Sequence, residues 1–317
     1  MSSILITGAG GFIGTSLTTA LLSSNSDLTL TVTDISAPPT PSPRVTSIAS
    51  NLTDASSVQS LLSTSYDTVY LLHGIMSSGS EANLPLSTHV NIDSFRLILQ
   101  TLIIDYPGTK VIFPSSLAVY GPCSNTDGLV CETTCALPQS SYGTQKLVIE
   151  TLINDYSRRG LIDGRIARLP TVIVRPGAPT AAASSFASGI VREPLQGIKS
   201  SLPVSEDLEM WVCSPQTVVA NLMKLRQIPS EKFAGFFSRV VCLPGQVVSV
   251  GQILTELEAV GGREARNLVV KEADEAVETI VKSWPSRFDV QRAEFLGLQP
   301  DVPLREVVQS FARSLKE

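Results

Sequence analysis

A tyrosine and a lysine spaced four residues apart, Tyr142 and Lys146, are the side chains of this sequence best suited to proton transfer. Residues i and i+4 of a helix lie on one face, with Cβ atoms about 5 to 6 Å apart. A free tyrosine has a pKa of about 10, and a nearby positive charge favours its phenolate. Ser115 and Ser116 end a preceding apolar strand, and the Ser116 hydroxyl would hydrogen-bond a substrate oxygen. These groups suit proton transfer coupled to hydride transfer, although the Tyr–Lys spacing alone is typical of surface packing.

A glycine-rich turn near the amino terminus predicts where the hydride carrier binds. An apolar strand is followed directly by glycines at positions 8, 11 and 14 and by a helical segment. Gly8, Gly11 and Gly14 permit a tight turn, close approach of the backbone to phosphates, and close packing of helix on strand. The free N–H groups of the first helical turn, which contains Phe12 and Ile13, meet the anion. The pattern predicts a dinucleotide-binding turn, and alone it is a weak signal.

An acidic residue, Asp34, ends the next predicted strand, about twenty residues beyond the last glycine. Its carboxylate would accept hydrogen bonds from ribose hydroxyls and repel a 2′-phosphate. We therefore expect NAD rather than NADP as the cofactor. The alternative is that Asp34 only begins the proline-rich loop that follows.

Composition excludes several classes of protein. The 317 residues are 43% hydrophobic and 17% charged, which suits one large domain or two interleaved ones. The net charge of −5 argues against a nucleic acid partner. No apolar run reaches the roughly 18 residues of a membrane span and no signal peptide is evident, so we expect a cytoplasmic protein without a membrane partner. We expect reduced thiols and no metal site, because ligands are too few near the cysteines, Cys123, Cys131, Cys135, Cys213 and Cys242.

Strands that alternate with helices predict an α/β fold, a Rossmann doubly wound parallel sheet with a smaller carboxyl-terminal α/β lobe that binds substrate. We place the NAD-binding domain at residues 1–170 and the substrate lobe at 171–317. Elements at about 214–243 are expected to pack back on the Rossmann domain. The helices predicted at 84–106 and 142–158 are the longest in the first half.

Polar residues follow the predicted strand at 68–72, at the edge where open α/β sheets bind ligands. His73 is interpreted as a structural histidine, because no carboxylate or cysteine partner is placed beside it. Ser77 and Ser78 fall in a predicted polar loop. Their hydroxyls are candidates for contact with a hydroxylated substrate, and a solvated loop is the equal alternative.

Further candidates lie in the second half. Ser184 and Ser185 begin a helix predicted at 184–195, where hydroxyls and free N–H groups hold a carboxylate or polyol, or simply cap the helix. Arg175 and Arg192 are candidate anion partners, and surface salt bridges are the favoured alternative. Trp284 and Arg287 are candidates to line the cleft, although an aromatic residue in a turn kinked by proline is more often part of the core.

The motifs together resemble the extended short-chain dehydrogenase/reductase superfamily, which includes nucleotide-sugar epimerases. The resemblance rests on the glycine turn, Asp34, the segment 116–121 and Tyr142-x-x-x-Lys146, and it spans nearly the whole chain. It implies that Ser116, Tyr142 and Lys146 form a catalytic triad, with Lys146 also holding the nicotinamide ribose. It implies a homodimer built from the helices near 84–106 and 142–158. Further NAD contacts that it implies are Asn51, Leu52, Leu72, His73, Gly74, Asn91, Leu169 and Thr171.

A narrower resemblance, to D-erythronate dehydrogenases, is carried by residues 154–160, 168–172, 175–179, 184–195 and 284–289. It implies NAD⁺-dependent oxidation of the hydroxyl next to the carboxylate of a four-carbon sugar acid. Three positions depart from the pattern. His73-Gly74 stands where relatives usually carry two small residues, and Asn51 stands where they carry an aspartate near the adenine. Glu209 stands where the sugar-acid enzymes carry a basic residue. A nucleotide-sugar epimerase and a ketone reductase of a specialised pathway remain alternatives, whereas a non-catalytic dinucleotide sensor could dispense with Tyr142 and Lys146.

Overall fold

The computed structural model describes residues 2–122 and 129–316, so Cys123 lies outside the described residues. The strands of the described part are β1 (Ser2–Thr7), β2 (Leu28–Asp34), β3 (Val45–Ala49), β4 (Thr68–Leu71), β5 (Lys110–Ser116), β6 (Leu129–Val130), β7 (Asp163–Leu169), β8 (Thr171–Val172), β9 (Ser200–Leu202), β10 (Glu209–Cys213), β11 (Val240–Cys242), β12 (Gln246–Ser249), β13 (Val269–Lys271) and β14 (Arg287–Phe288).

The α-helices of the same part are α1 (Phe12–Ser24), α2 (Ala55–Leu61), α3 (Ser77–Ala82), α4 (Leu84–Thr88), α5 (Ser94–Asp105), α6 (Ser141–Arg158), α7 (Ser185–Arg192), α8 (Pro215–Gln227), α9 (Val250–Asn267), α10 (Glu275–Lys282), α11 (Gln291–Phe295) and α12 (Leu304–Ser314). A π-helical turn joins α4 to α5, and short 3₁₀ turns lie at Leu117–Val119, Pro194–Gln196 and Ser230–Phe233.

A seven-stranded parallel sheet in the order β11-β7-β5-β4-β1-β2-β3 forms the centre of the fold. Its middle strands read as continuous apolar runs because both faces are covered. Apolar residues of α1 and α8 pack on one face, and those of α2, α5 and α6 pack on the other. The prediction of a doubly wound Rossmann sheet is confirmed. β11 and α8 come late in the chain but belong to this sheet layer, while the domain boundary near residue 170 stays a prediction.

The remaining strands are short and build small sheets beside the large one. β8, β10 and β12 form one, and β9 pairs with β13. An apolar cluster drawn from the 173–212 region and from helices α7, α9, α10 and α12 fills this lobe. Its edge meets the carboxyl ends of β4 and β5, which is where α/β sheets of this kind bind ligands.

Two predicted elements differ from the structure. The segment predicted as a polar loop around Ser77 and Ser78 is the helix α3, in which the Ser77 hydroxyl accepts a hydrogen bond from the backbone N–H of Ala183. The helix predicted at 84–106 is interrupted by the π-helical turn His89–Asp93. Asn91 of that turn is buried and forms a hydrogen bond with the loop after β4. The hydrophobic periodicity of the sequence does not predict this tertiary contact.

Candidate active site

The glycine turn brings the ends of β1, α1 and β4 together. Gly8 has a φ of 65°, and a Cβ atom there would lie 2.5 Å from the backbone nitrogen of His73. A Cβ atom on Gly14 would lie 2.5 Å from the carbonyl oxygen of Gly8. α1 begins after Gly11 without a side-chain cap, so its first N–H groups are left for an anionic ligand. The cradle therefore fits the pyrophosphate of a dinucleotide.

Asp34, at the end of β2, is fixed beside this turn. Its carboxylate accepts hydrogen bonds from the backbone N–H groups of Gly10, at 3.0 Å, and Ile35, at 2.7 Å. The remaining acceptor positions suit a ribose diol, and the negative charge disfavours a 2′-phosphate.

Most of the predicted site residues line a cleft at the carboxyl ends of the sheet strands. The cleft has a volume of about 310 Å³ and is lined by predicted residues that include Gly8, Gly11, Phe12, Ile13, Gly14, Asp34, Leu72, His73, Gly74, Tyr142, Lys146, Leu169 and Arg175. A smaller cavity of about 90 Å³ adjoins it and adds Ser77, Ser116, Thr171 and Ser184. The shared residues Tyr142 and Arg175 join the two spaces into one candidate site.

Six predicted site residues line neither cavity: Asn51, Leu52, Ser78, Asn91, Ser185 and Arg192. The Asn51 side chain accepts hydrogen bonds from Thr53, and Leu52 is buried in an apolar cluster. The Ser185 hydroxyl accepts a hydrogen bond from the N–H of Thr180. Contact of Asn51 or Leu52 with the adenine stays a prediction.

Asn91 supports the cleft from behind. Its Nδ2 donates to the carbonyl oxygen of Ile75 at 2.9 Å and to Oε1 of Gln145 at 2.7 Å, and its Oδ1 accepts from the N–H of Ile75 at 2.7 Å. These bonds tie the loop after β4 to α6. Asn91 thus positions cofactor-lining backbone rather than lining the cleft itself.

Tyr142 and Lys146 are both buried on the face of α6 that meets the sheet. The Lys146 Nζ donates to the carbonyl oxygen of Pro114 at 2.9 Å and lies 4.5 Å from the ring centroid of Phe113. Burial lowers the pKa of Lys146 to about 7, against the opposing effect of Glu150. Two of its three donors remain for other partners.

Burial raises the pKa of the Tyr142 phenol above its ordinary value, and the charge of Arg175 partly opposes the rise. The sequence predicts that the charge of Lys146 lowers the pKa of Tyr142. In the protein alone this pKa is raised instead, because desolvation of the phenolate outweighs the effect of nearby charges. Positive charge in the loaded cleft is then required for the phenolate to form.

Two neighbouring serines end β5 at this site. The Ser116 Oγ accepts the N–H of Ala118 at 3.1 Å, so the hydroxyl hydrogen remains available to a substrate oxygen. Ser115 is also buried, and its hydroxyl has no partner among the described residues. The sequence places two hydroxyls here and predicts a role for Ser116 only, but Ser115 lines both cavities and Ser116 lines the smaller one.

Arg175 places a positive charge in the cavity that no described carboxylate pairs. The side chain is buried, its Nη2 has no partner in the described part of the chain, and its Nη1 lies 3.5 Å from the Thr180 hydroxyl. Burial, followed by the charge of Arg192, lowers its pKa to about 10, so it stays protonated at neutral pH. Arg192 instead forms an ion pair with Glu193 and donates to the Arg175 carbonyl oxygen at 3.0 Å. Neither arginine is the surface ion pair that the sequence favoured.

Comparison with known proteins agrees with this geometry. Residues 4–212 match the model of the NAD dependent epimerase/dehydratase family. The chain belongs to this family. It is 40% identical to D-erythronate dehydrogenase of Haemophilus influenzae, over 97% of this chain and 98% of that protein. It is 38% identical to D-erythronate dehydrogenase of Cupriavidus necator, over 98% and 97% of the two chains.

A solved structure described as the nucleoside-diphosphate-sugar epimerase from Agrobacterium tumefaciens superposes with a TM-score of 0.90. The two chains are 32% identical, and the match covers 98% of this chain and 94% of the other. The predicted superfamily, fold, NAD cofactor and dehydrogenase class are confirmed by these relatives. This member of the epimerase/dehydratase family is an NAD-dependent dehydrogenase of the extended short-chain type.

His73 is a departure whose role the structure explains. Its Nδ1 lies 2.7 Å from the Thr7 hydroxyl and its Nε2 lies 2.8 Å from the Ser94 hydroxyl, while its ring stacks on Phe95 with centroids 4.0 Å apart. Burial, then the charge of Lys146, lowers the pKa of His73 to about 3. A neutral imidazole with two hydroxyl partners agrees with the structural interpretation.

The sequence predicts neither a metal site nor a membrane span. Within residues 2–122 and 129–316 no group of side chains is arranged to hold a metal ion, and Cys131, Cys135, Cys213 and Cys242 are free thiols. In the same ranges none of the helices has the length and apolar character to cross a bilayer.

Proposed function

We propose that this enzyme oxidises the hydroxyl next to the carboxylate of a small sugar acid such as D-erythronate, with NAD⁺ as the hydride acceptor. The observation that carries the proposal is the buried Arg175 guanidinium, which has no carboxylate partner within residues 2–122 and 129–316 and lines the same cavity as Tyr142 and Ser116. A buried donor without a partner costs roughly 1 to 3 kcal/mol, and a substrate carboxylate would remove that cost. The named activity of both D-erythronate dehydrogenases supports the same substrate class.

Each site residue has a separate role in the proposed reaction. Ser116 donates to the reacting oxygen and fixes its distance from Tyr142, whose phenolate takes the hydroxyl proton. Lys146 would hold the nicotinamide ribose with the donors that Pro114 leaves free. Bound NAD⁺ would supply the hydride acceptor and a positive charge near the phenol. Arg175 would hold the carboxylate and lower the pKa of Tyr142, as its charge does in the free protein.

A nucleotide-sugar epimerase is the second candidate, because the similar Agrobacterium tumefaciens structure is described as one. The cavity beside Tyr142 measures about 90 Å³, which suits a small acid better than a sugar attached to a nucleotide. Arg175 also suits a single carboxylate.

The test is NADH formation from D-erythronate, other small 2-hydroxy acids, polyols without a carboxylate, and nucleotide sugars. We expect turnover of the acids, with kcat reduced about 10²- to 10⁴-fold in Tyr142→Phe. Arg175→Met should lower kcat/KM for acids about 10- to 150-fold, and should lower it less for polyols that are turned over, which lose only the effect of the Arg175 charge on Tyr142. Arg263→Met, which removes an exposed charge on α9, is the matched control. No turnover of acids by a protein that binds NAD⁺, with conversion of a nucleotide sugar, would overturn the proposal in favour of the epimerase.

A further inference from the structure

Trp284 stands between the substrate cavity and a second space outside it. Its side chain lines the cavity of about 90 Å³ together with Tyr142, Ser116 and Arg175. It also lines a separate space of about 420 Å³, whose other walls are Ser205, Asp207, Leu208, Glu209, Lys282 and Ser286. One indole is therefore common to the walls of both.

Packing on both sides fixes this indole. Trp284 packs against the apolar cluster of the carboxyl-terminal lobe and against a smaller cluster that contains Val130, Trp211 and Phe288. The chain leaves it through Pro285 into β14, where Arg287 pairs with Glu209 of β10 at 2.9 Å. Contact with two clusters restricts the rotation of this partly buried side chain, which suits a wall between the two spaces.

The indole N–H gives an independent sign of a ligand. Nε1 of Trp284 is buried and has no hydrogen-bond partner among the described residues. Buried tryptophans usually find a partner for this donor, because leaving it unpaired costs free energy. An expected core residue would have satisfied it within the protein, so the lining position and the unpaired donor together distinguish Trp284 from a simple core tryptophan.

We propose that Trp284 is the end wall of the substrate pocket and limits the substrate to a short sugar acid. The inference rests on the proposed function and adds the determinant of chain length. Because the indole lines the same cavity as Arg175 and Tyr142, we place the far end of an acid bound by those two residues against it. Removing the indole would join the cavity to the outer space, whose serines and Lys282 offer partners for additional hydroxyls.

The experiment compares wild type, Trp284→Ala and Trp284→Phe on 2-hydroxy sugar acids of four, five and six carbons. The readout is the ratio of kcat/KM for the longer acids to kcat/KM for the four-carbon acid. We expect this ratio to rise by about tenfold or more in Trp284→Ala, the range that one methylene of pocket space confers. Trp284→Phe keeps an aromatic wall and should leave the ratio within about threefold. An unchanged ratio in Trp284→Ala, or an equal rise in Trp284→Phe, overturns the proposal.

Two further measurements separate the possible failures. NAD⁺ affinity and the melting temperature report whether Trp284→Ala is folded, and if it is not, Trp284→Leu replaces it with the same expected direction. If wild type oxidises no sugar acid, the proposed function has failed by itself. The wall is then judged from a crystal structure of the variant: a joined cavity supports it, and a refilled or still divided one overturns it.

Discussion

At the scale of single residues, the imidazole of His73 is kept neutral by its surroundings. Burial and the charge of Lys146 lower its pKa to about 3, whereas an unfolded histidine titrates at about 6.5. Between these values the unfolded chain binds more protons than the folded one. The free energy of unfolding should therefore decrease as the pH falls below about 6.5.

This linkage predicts how a His73 variant responds to acid. His73→Asn should be less stable than wild type at neutral pH, since it loses the ring stack and at least one hydroxyl partner. Its stability should then depend less on pH, because wild type loses on the order of 1 kcal/mol per pH unit below the unfolded pKa. Chemical denaturation between about pH 7 and about pH 5 measures both effects.

His89, the other histidine of the chain, provides the control. It is exposed and lies 3.1 Å from Asp93 on its own helix. His89→Asn should keep the wild-type acid response. Equal pH dependence in wild type and His73→Asn would show that the imidazole is not held neutral by the fold.

Arg175 and Arg192 differ in their surroundings in a way that the sequence does not predict. Arg175 and Arg192 were equivalent candidates in the sequence, yet only Arg175 lines the cavity, and it has no acidic partner in the part of the chain that the structure describes. Arg192 pairs with its neighbour Glu193, a pairing that helical spacing does not favour. The tyrosine, lysine and serine were predicted from local spacing together with the family resemblance, whereas the distinction between the arginines depends on tertiary burial.

At the scale of elements, long segments with a clear period were predicted close to their observed bounds. The strand predicted at 68–72 is β4, Thr68–Leu71, and the helix predicted at 142–158 is α6, Ser141–Arg158. The short strands of the second lobe were mostly not predicted. β8 and β14 have two residues each, and their partners lie far away in sequence, so pairing rather than local propensity defines them.

At the glycine turn, α1 packs closely on β1 at Gly14. Gly14→Ala places a Cβ atom 2.5 Å from the Gly8 carbonyl oxygen and 2.6 Å from the Cα of Ala9, and these are backbone atoms that cannot move without opening the cradle. We expect a loss of stability of about 1 to 3 kcal/mol and an NAD⁺ affinity at least about tenfold weaker. Urea unfolding and titration with NAD⁺ measure the two quantities.

Gly11→Ala is the matched control for stability. A Cβ atom at that position would meet the Gly8 carbonyl oxygen at 3.4 Å, an ordinary contact, and the φ of −72° is open to alanine. Its stability should stay within about 1 kcal/mol of wild type. If Gly14→Ala is as stable as Gly11→Ala and binds NAD⁺ equally well, close packing of α1 on β1 is not what the turn requires.

At the scale of the whole molecule, the site depends on elements that the chain contributes far apart. β11 pairs with β7 although more than seventy residues separate them, and Trp284 reaches the cavity from near the end of the chain. The Rossmann half was predictable since each strand and helix follows its neighbour. The late return to the sheet, by α8 and β11, was expected for the region around 214–243, whereas Trp284 was considered for the cleft but favoured for the core.

The outer surface of α5 and α6 carries apolar residues that the protein itself does not cover. Ile104 on α5 is 74% exposed and Val148 on α6 is 38% exposed. Leu152 and Tyr156 continue from Val148 at steps of four residues and are partly exposed, so they form one stripe along α6. These are the helices from which the family resemblance implies a homodimer.

We expect a homodimer in which the α5 and α6 surfaces of two copies pack together. Val148→Glu combined with Ile104→Glu would bury charges without partners at such an interface and should convert the dimer to a monomer in light scattering. Ile198→Glu, which changes an exposed apolar residue of the other lobe, should leave the mass unchanged. Because the cleft of each copy is lined by its own residues, the monomeric variant should keep its NAD⁺ affinity. A wild-type mass equal to that of one chain at every concentration would contradict the predicted dimer.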